Sequence, residues 1–172
     1  QNIALTSAQA AALTTNQLVA LSTASVASIQ TADLAAMSTA QIAALTTAQT
    51  AGLKSAQAAA LTTAQLAGMT TLQISKMEVA DFAAITVDQL PQMTTEQIAA
   101  LTTAQVVALT TDQVSNLKTA QLAAMTAKQV ASLETDDLVS LTTAQVVALT
   151  TAQVAAFTTA QIAALTTASI YA

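Results

Sequence analysis

Residues 141–167 read LTTAQVVA, LTTAQVAA, FTTAQIAA, LTT: one octapeptide written three times from Leu141, with a fourth copy begun and reaching Thr167. Repetition of this kind decides a fold before local propensity does, because repeated units bury their faces on one another and not in one globular core. With the octad positions lettered a to h and a placed at Leu5, a recurs every eight residues as far as Leu165. That gives (165 − 5)/8 + 1 = 21 copies, and each is Leu, Ile, Met or Phe. Position f is nearly as apolar (Leu18, Val26, Leu34, Ile42, Leu66), with weaker copies at Ala10, Thr50 and Ala58. Position e is Gln in 16 of the 21 copies; the others are Ser25, Asp33, Asp81, Asp137 and Ser169. Positions b and c are mostly Thr or Ser, and g and h mostly Ala. Nothing interrupts the frame, so residues 1–172 are expected to form a single continuous array of about 21 repeats, with no linker and no capping repeats. Gln1 falls at e, in the middle of an octad, as in a chain processed or trimmed out of a longer array.

Ala and Gln at this density favour helix over strand. An unbroken helix fails on geometry: eight residues at about 100° each overshoot two turns by about 80°, so the a positions would spiral around it. Each octad therefore needs a break, and positions b to e supply one. Thr-Thr-Ala-Gln fits the capping box, in which the b hydroxyl accepts from the N–H of e and the e Gln reaches back to the N–H of b. Asp88, Glu96, Asp112 and Asp136 at d then lie in a first turn, where the helix dipole favours acids. Lys76 and Asn116 at h lie at the far end. The expected architecture is all-α: a repeat solenoid of short helical segments, one per octad and about five to seven residues long, unstable singly and held by burial of a and f. Thr at b faces out, and Ala at g and h permits close approach. Gly52 and Gly68, both at h, read as points of tight backbone contact. A β-solenoid with Thr ladders is the rival, opposed by the Ala content and the absence of Asn-Gly or Asp-Gly turns.

The pattern is most disturbed from Met77 to Met93. There Val79 and Val87 replace Thr at c, and Pro91 sits at g, where a helix would lose a hydrogen bond.

Apolar residues make up 53% of the chain and aromatics only 2%, so the core must be thin and aliphatic. Charged residues are 8%, against about 25% in ordinary globular chains, which leaves solubility to Thr and Gln. The net charge is −5, and Lys54, Lys76, Lys118 and Lys128 are the only basic residues, so no basic patch for nucleic acid or anionic membrane is expected. Mean hydropathy is +0.57, but polar residues in every octad keep apolar runs far below the roughly 20 needed to span a bilayer. With no Cys and no His, the usual zinc and copper sites are excluded. No catalytic, cofactor-binding or metal-binding residue is assigned, and no enzyme activity is expected, because no base is placed beside any hydroxyl. Glu134, Asp136 and Asp137 are the one acidic cluster that could hold a cation; a solvated face with one capping Asp is the plainer reading. Met37, Met69, Met77, Met93 and Met125 all fall at a and read as core filler.

The LTTAQ[IV]AA unit resembles the Thr/Ala/Gln octapeptide arrays of very large, low-charge secreted or surface proteins of bacteria, described as exoproteins or adhesin-like. Thr102-Thr103-Ala104-Gln105-Val106-Val107-Ala108-Leu109 is also similar to the helix-opening segment of TAL-effector repeats. Those repeats are about four times longer, with a base-reading loop and a basic inner surface, all missing here, so DNA binding is not carried over. The resemblance to exoprotein arrays implies a structural repeat protein, extracellular or at the cell surface. It would be a stalk, spacer or filament subunit that associates with itself head to tail, without membrane insertion. The alternative is a binding module presenting Thr/Gln rows to a surface glycan or to ice. Lys54, Glu78, Lys118 and Glu134 interrupt the b row and favour the structural reading.

Overall fold

The computed structural model of the chain describes residues 6–169. Gln1 and Leu5 lie outside the described residues, as does the side chain of Ser169. The chain divides into two compact units, residues 1–93 and 94–172. Among the described residues the first unit holds ten α-helices and a short 3-10 helix, the second nine α-helices, and neither contains a strand.

Each octad makes one helix because its start and stop are both written in. In the octad at Thr62, the Gln65 N–H donates to Thr62 Oγ1 (3.2 Å) and the Thr62 N–H donates to Gln65 Oε1 (2.8 Å), which closes the capping box. Glu96, in the first turn of the helix Thr95–Ala99, has its carboxyl held below the ordinary value by its own backbone N–H and by the Thr94 and Thr95 hydroxyls. Helices of five or six residues follow, such as Thr63–Gly68 and Thr111–Ser115. The helix stops at a, whose N–H turns back to the carbonyl of f (Met69 to Leu66, 3.2 Å). The corner is made by two extended residues, here Met69 (φ −69°, ψ 149°) and Thr70 (φ −72°, ψ 155°). Extended backbone suits any residue, and no positive φ occurs among the described residues. This is why corners at every eighth residue need no glycine and no Asn-Gly turn.

Within each unit, every helix packs on the helix three octads away. Thr39–Ala44 packs on Thr63–Gly68 in the first unit, and Thr95–Ala99 on Thr119–Ala124 in the second. A coil of the solenoid is therefore three octads, 3 × 8 = 24 residues. Position f forms the centre (Leu34, Ile42, Leu66, Ile98, Leu122 and Leu138 are fully buried), and a lines the corners. Burying one such aliphatic side chain contributes roughly 1.5–3 kcal/mol, which a helix this short could not do without its neighbours. Thr50, the polar copy of f, is also buried and turns its hydroxyl onto the Thr46 carbonyl (3.1 Å).

Three details depart from the sequence reading. Gln at e does not serve solubility: in the interior coils it is buried, Gln65 and Gln73 to 1% exposure. The disturbance expected at Pro91 is present and is no departure: its octad replaces the α-helix by a turn and the 3-10 helix Leu90–Gln92, because the proline offers no N–H for an α-turn, while Leu90 and Ile85 remain buried. Gly52 and Gly68 are not forced by crowding. A Cβ on either would meet its nearest neighbours, Thr23 and Thr39, at ordinary contact (3.5 Å). The helix Thr159–Ser169 is 11 residues long and passes Leu165 without a corner, which nothing in the structure explains.

Candidate functional site

The feature common to both units is the side chain at e, and as Gln in the interior coils it does two things at once. Its amide oxygen accepts the N-cap N–H of its own helix, as the capping box requires. Its amide nitrogen points the other way and donates to the carbonyls of f, g and a at the corner one coil earlier. Gln49 Nε2 reaches Leu18 O (2.8 Å), Val19 O (3.5 Å) and Leu21 O (2.8 Å). Gln129 repeats this in the second unit, reaching Ile98 O (3.1 Å), Ala99 O (3.2 Å) and Leu101 O (2.7 Å). The last carbonyls of a helix have no intrahelical donor, so one side chain caps the start of one helix and the end of another. The link uses backbone acceptors only, so it does not depend on which residues occupy f, g and a. Gln89 keeps it even in the proline octad, with Ala59 O at 3.2 Å. Among the described residues no buried side-chain nitrogen or oxygen is left without a partner.

Glutamine is suited to this task because it carries an acceptor and two donors on a side chain long enough to span the corner. Asp33, Asp81 and Asp137 occupy the same position without an amide. Each takes a hydroxyl from c, 26 residues earlier: Ser7 gives to Asp33, Ser55 to Asp81 (2.6 Å) and Thr111 to Asp137 (3.1 Å).

The acidic cluster does not assemble. Asp137 is turned inward and buried, while Glu134 and Asp136 face solvent, and among the described residues no group of three carboxylates is placed to hold a metal ion. The outer surface of the interior coils is made by b and d, joined by c in many octads (Thr63, Thr71, Thr111 and Thr119 are exposed, Thr47 and Thr103 half-buried), while g is mostly half-buried and h varies. The b hydroxyls are engaged as helix caps, and the row is broken at Gln30, Lys54, Glu78, Lys118 and Glu134. A shallow groove between Thr103–Val107 and Ala127–Ala131 is lined by Thr103, Ala104, Val107, Lys128, Ala131 and Ser132, methyl groups beside one ammonium. No described helix is long and apolar enough to cross a membrane. What the arrangement does chemically is internal: it passes one hydrogen-bonding unit from coil to coil.

Sequence reasoning found the first half of the glutamine's work and missed the second. The missed signal was the strictness of e. Solvent-facing b and d drift among polar, charged and small residues, while e admits only Gln, Asp and Ser.

No curated protein and no solved structure matches the chain. A family model described as the ALTTAQ repeat matches three stretches, residues 26–63, 74–111 and 130–167, together more than half of the chain. All three begin at f and end at c, in one octad register. The chain is thus a helical repeat protein, and it belongs to the ALTTAQ repeat family.

Proposed function

We propose that the chain is a structural spacer: a stalk or filament segment, extracellular or at the cell surface, with no catalytic activity and with further coils of its own kind as its partner. The observation that carries this reading is the glutamine link. Within each unit it joins one coil to the one before through main-chain atoms, so coils can be added in any number without a new contact having to be evolved. Within each unit the amide of e and the apolar f row of one coil interlock with the coil before it. A further coil of the same octads, from one chain or from a second copy, would use the same contacts, and a contact of that head-to-tail kind propagates along a line. The resemblance to octapeptide arrays of bacterial surface proteins supports the location.

The test is electron microscopy of the purified chain over a concentration series, beside a chain carrying six further consensus octads. Rods or filaments with a regular axial repeat, lengthened by the added octads, are expected. Compact particles whose length ignores the added octads would overturn the reading.

A further inference from the structure

The joints at Asp33, Asp81 and Asp137 lack the amide link, and they lack it in the same manner. Ser7 and Ser55, the only serines in the c row, are the hydroxyls that face Asp33 and Asp81, so acid and short hydroxyl occur together. Asp137, in the second unit, takes Thr111 in the same place. It is 3% exposed. Its partners are Thr111 Oγ1 at 3.1 Å and the N–H of Glu134 at 3.3 Å, a long bond beside the 2.7 Å one that Gln153 receives at the same point. At the corner one coil earlier, the carbonyls of Val106, Val107 and Leu109 stand where the other corners receive an amide, and an ionised carboxylate has no proton to give them.

No cation faces Asp137 from the elements around it. The helix beneath, Thr111–Ser115, brings Asp112; its own helix, Thr135–Val139, brings Asp136, with Glu134 at its N-cap. The helix packed above, Thr159–Ser169, carries no ionisable residue. Along the coil, Ala127–Ala131 holds Lys128 on its exposed side, and Thr143–Ala148 holds no charge.

We propose that the Asp137 joint is a pH-dependent link between coils, held at neutral pH by a single hydroxyl where its neighbours have an amide, and tightened by protonation. Burial pushes the Asp137 carboxyl above its ordinary value and Asp136 adds to this, against the Thr111 hydroxyl and the Glu134 N–H, which pull it down. A carboxyl raised on folding stabilises the fold fully below its unfolded value of about 3.9, and that contribution is lost as pH rises through the folded value. The joint is therefore weakest at neutral pH.

Thermal unfolding of the full chain from pH 7.5 down to 4.5, with Asp137→Asn and Asp137→Gln, tests the proposal. Asparagine removes the charge but is too short for the corner; glutamine removes the charge and restores the link. At pH 7.5 both variants should melt above the wild type, glutamine higher, with hydrogen exchange at the Leu109 amide slowed about tenfold in the glutamine variant. Both gaps should shrink as the pH falls and the protonated share of the wild-type carboxyl, raised above its ordinary value, grows. A gap between wild type and Asp137→Asn that does not change with pH would overturn the proposal, and so would an Asp137→Gln chain no more stable than Asp137→Asn.

Discussion

The corners served by Gln153 and by Asp137 lie in the same unit, are served from the same octad position and differ by one methylene and one amide. Gln153 accepts from the Thr150 N–H at 2.7 Å and gives its amide to Leu122 O (2.9 Å), Ala123 O (3.4 Å) and Met125 O (2.7 Å). Asp137 keeps a lengthened version of the first contact and loses the second entirely. Both side chains are buried, both helices form, and Leu138 beside Asp137 is as fully buried as Leu122. The hydrophobic centre thus builds a coil whichever residue stands at e. What e adds is a directional bond between coils, which fixes the phase of one three-sided turn on the next. Apolar packing is tolerant of sliding and hydrogen bonds are not, so the two contributions are separable by mutation.

The largest effect expected is at a linked corner. Gln129→Leu keeps the volume and removes both halves of the bond, leaving the Thr126 N–H (2.6 Å from Gln129 Oε1) and the Ala99 and Leu101 carbonyls without their donor, and Ile98 O with the Leu101 N–H alone (3.2 Å). Unsatisfied buried groups cost about 1–3 kcal/mol each, so a loss of roughly 2–5 kcal/mol in denaturant unfolding is expected. Gln129→Glu sharpens the comparison. It retains the acceptor for Thr126 but sets an anion against the carbonyls. It should lose at least as much at neutral pH and recover part of it in acid, turning the Gln129 corner into a stronger version of the Asp137 one. A Gln129→Leu chain as stable as the wild type would mean that packing alone phases the coils.

The frame, the helix starts and the residues of the core were legible in the sequence because they are local. The capping box needs only b and e of one octad, and the apolar identity of a and f needs only periodicity. The coil-to-coil bond was not legible, because it joins Gln129 to Leu101, 28 residues apart, and that pairing follows only once three octads are known to close a turn. That number is set by the corner angle, which two extended residues define and no residue type announces. Glutamine at e was accordingly read as surface, although its near-invariance among rows that drift was the trace of its burial. Pro91 shows the same limit from the other side. Its disruption of the helix was predictable from the missing N–H, but the survival of Gln89's link through it was not, since that link depends on the corner and not on the helix that follows.

A smaller loss is expected at the outer row. Thr102 Oγ1 accepts from the Gln105 N–H at 3.2 Å while the Thr102 N–H gives to Gln105 Oε1 at 2.9 Å. Thr102→Ala removes the first bond and leaves the second, and should cost about 1 kcal/mol, the ordinary value of a helix cap. The octad at Lys118 already lives with half the box: its residue b has no side-chain cap, and its N–H still gives to Gln121 Oε1 at 2.9 Å. Lys118→Thr should therefore gain about what Thr102→Ala loses. Equal melting temperatures across all three chains would place the whole value of the box in the glutamine, which widens the contrast between e and every other polar row.

The smallest effect expected is a gain at h. Gly68 ends the helix Thr63–Gly68 with an ordinary negative φ, and a Cβ there would meet Thr39 Cβ at 3.5 Å and Thr39 Cγ2 at 3.9 Å, normal contact distances. Alanine stands at h in most octads, and in a helical position it is favoured over glycine by roughly 0.5–1 kcal/mol through the unfolded chain's lost freedom. Gly68→Ala should raise the melting temperature modestly with no change in the glutamine-linked amides' exchange. The sign of this small effect bears on the larger comparison. A gain means that the methyl is accommodated and that coil spacing is set by the amide bonds and the f row. A loss means that h against c is the tightest approach between coils, in which case steric contact at the rim, and not the bond at the corner, fixes how closely one turn lies on the next.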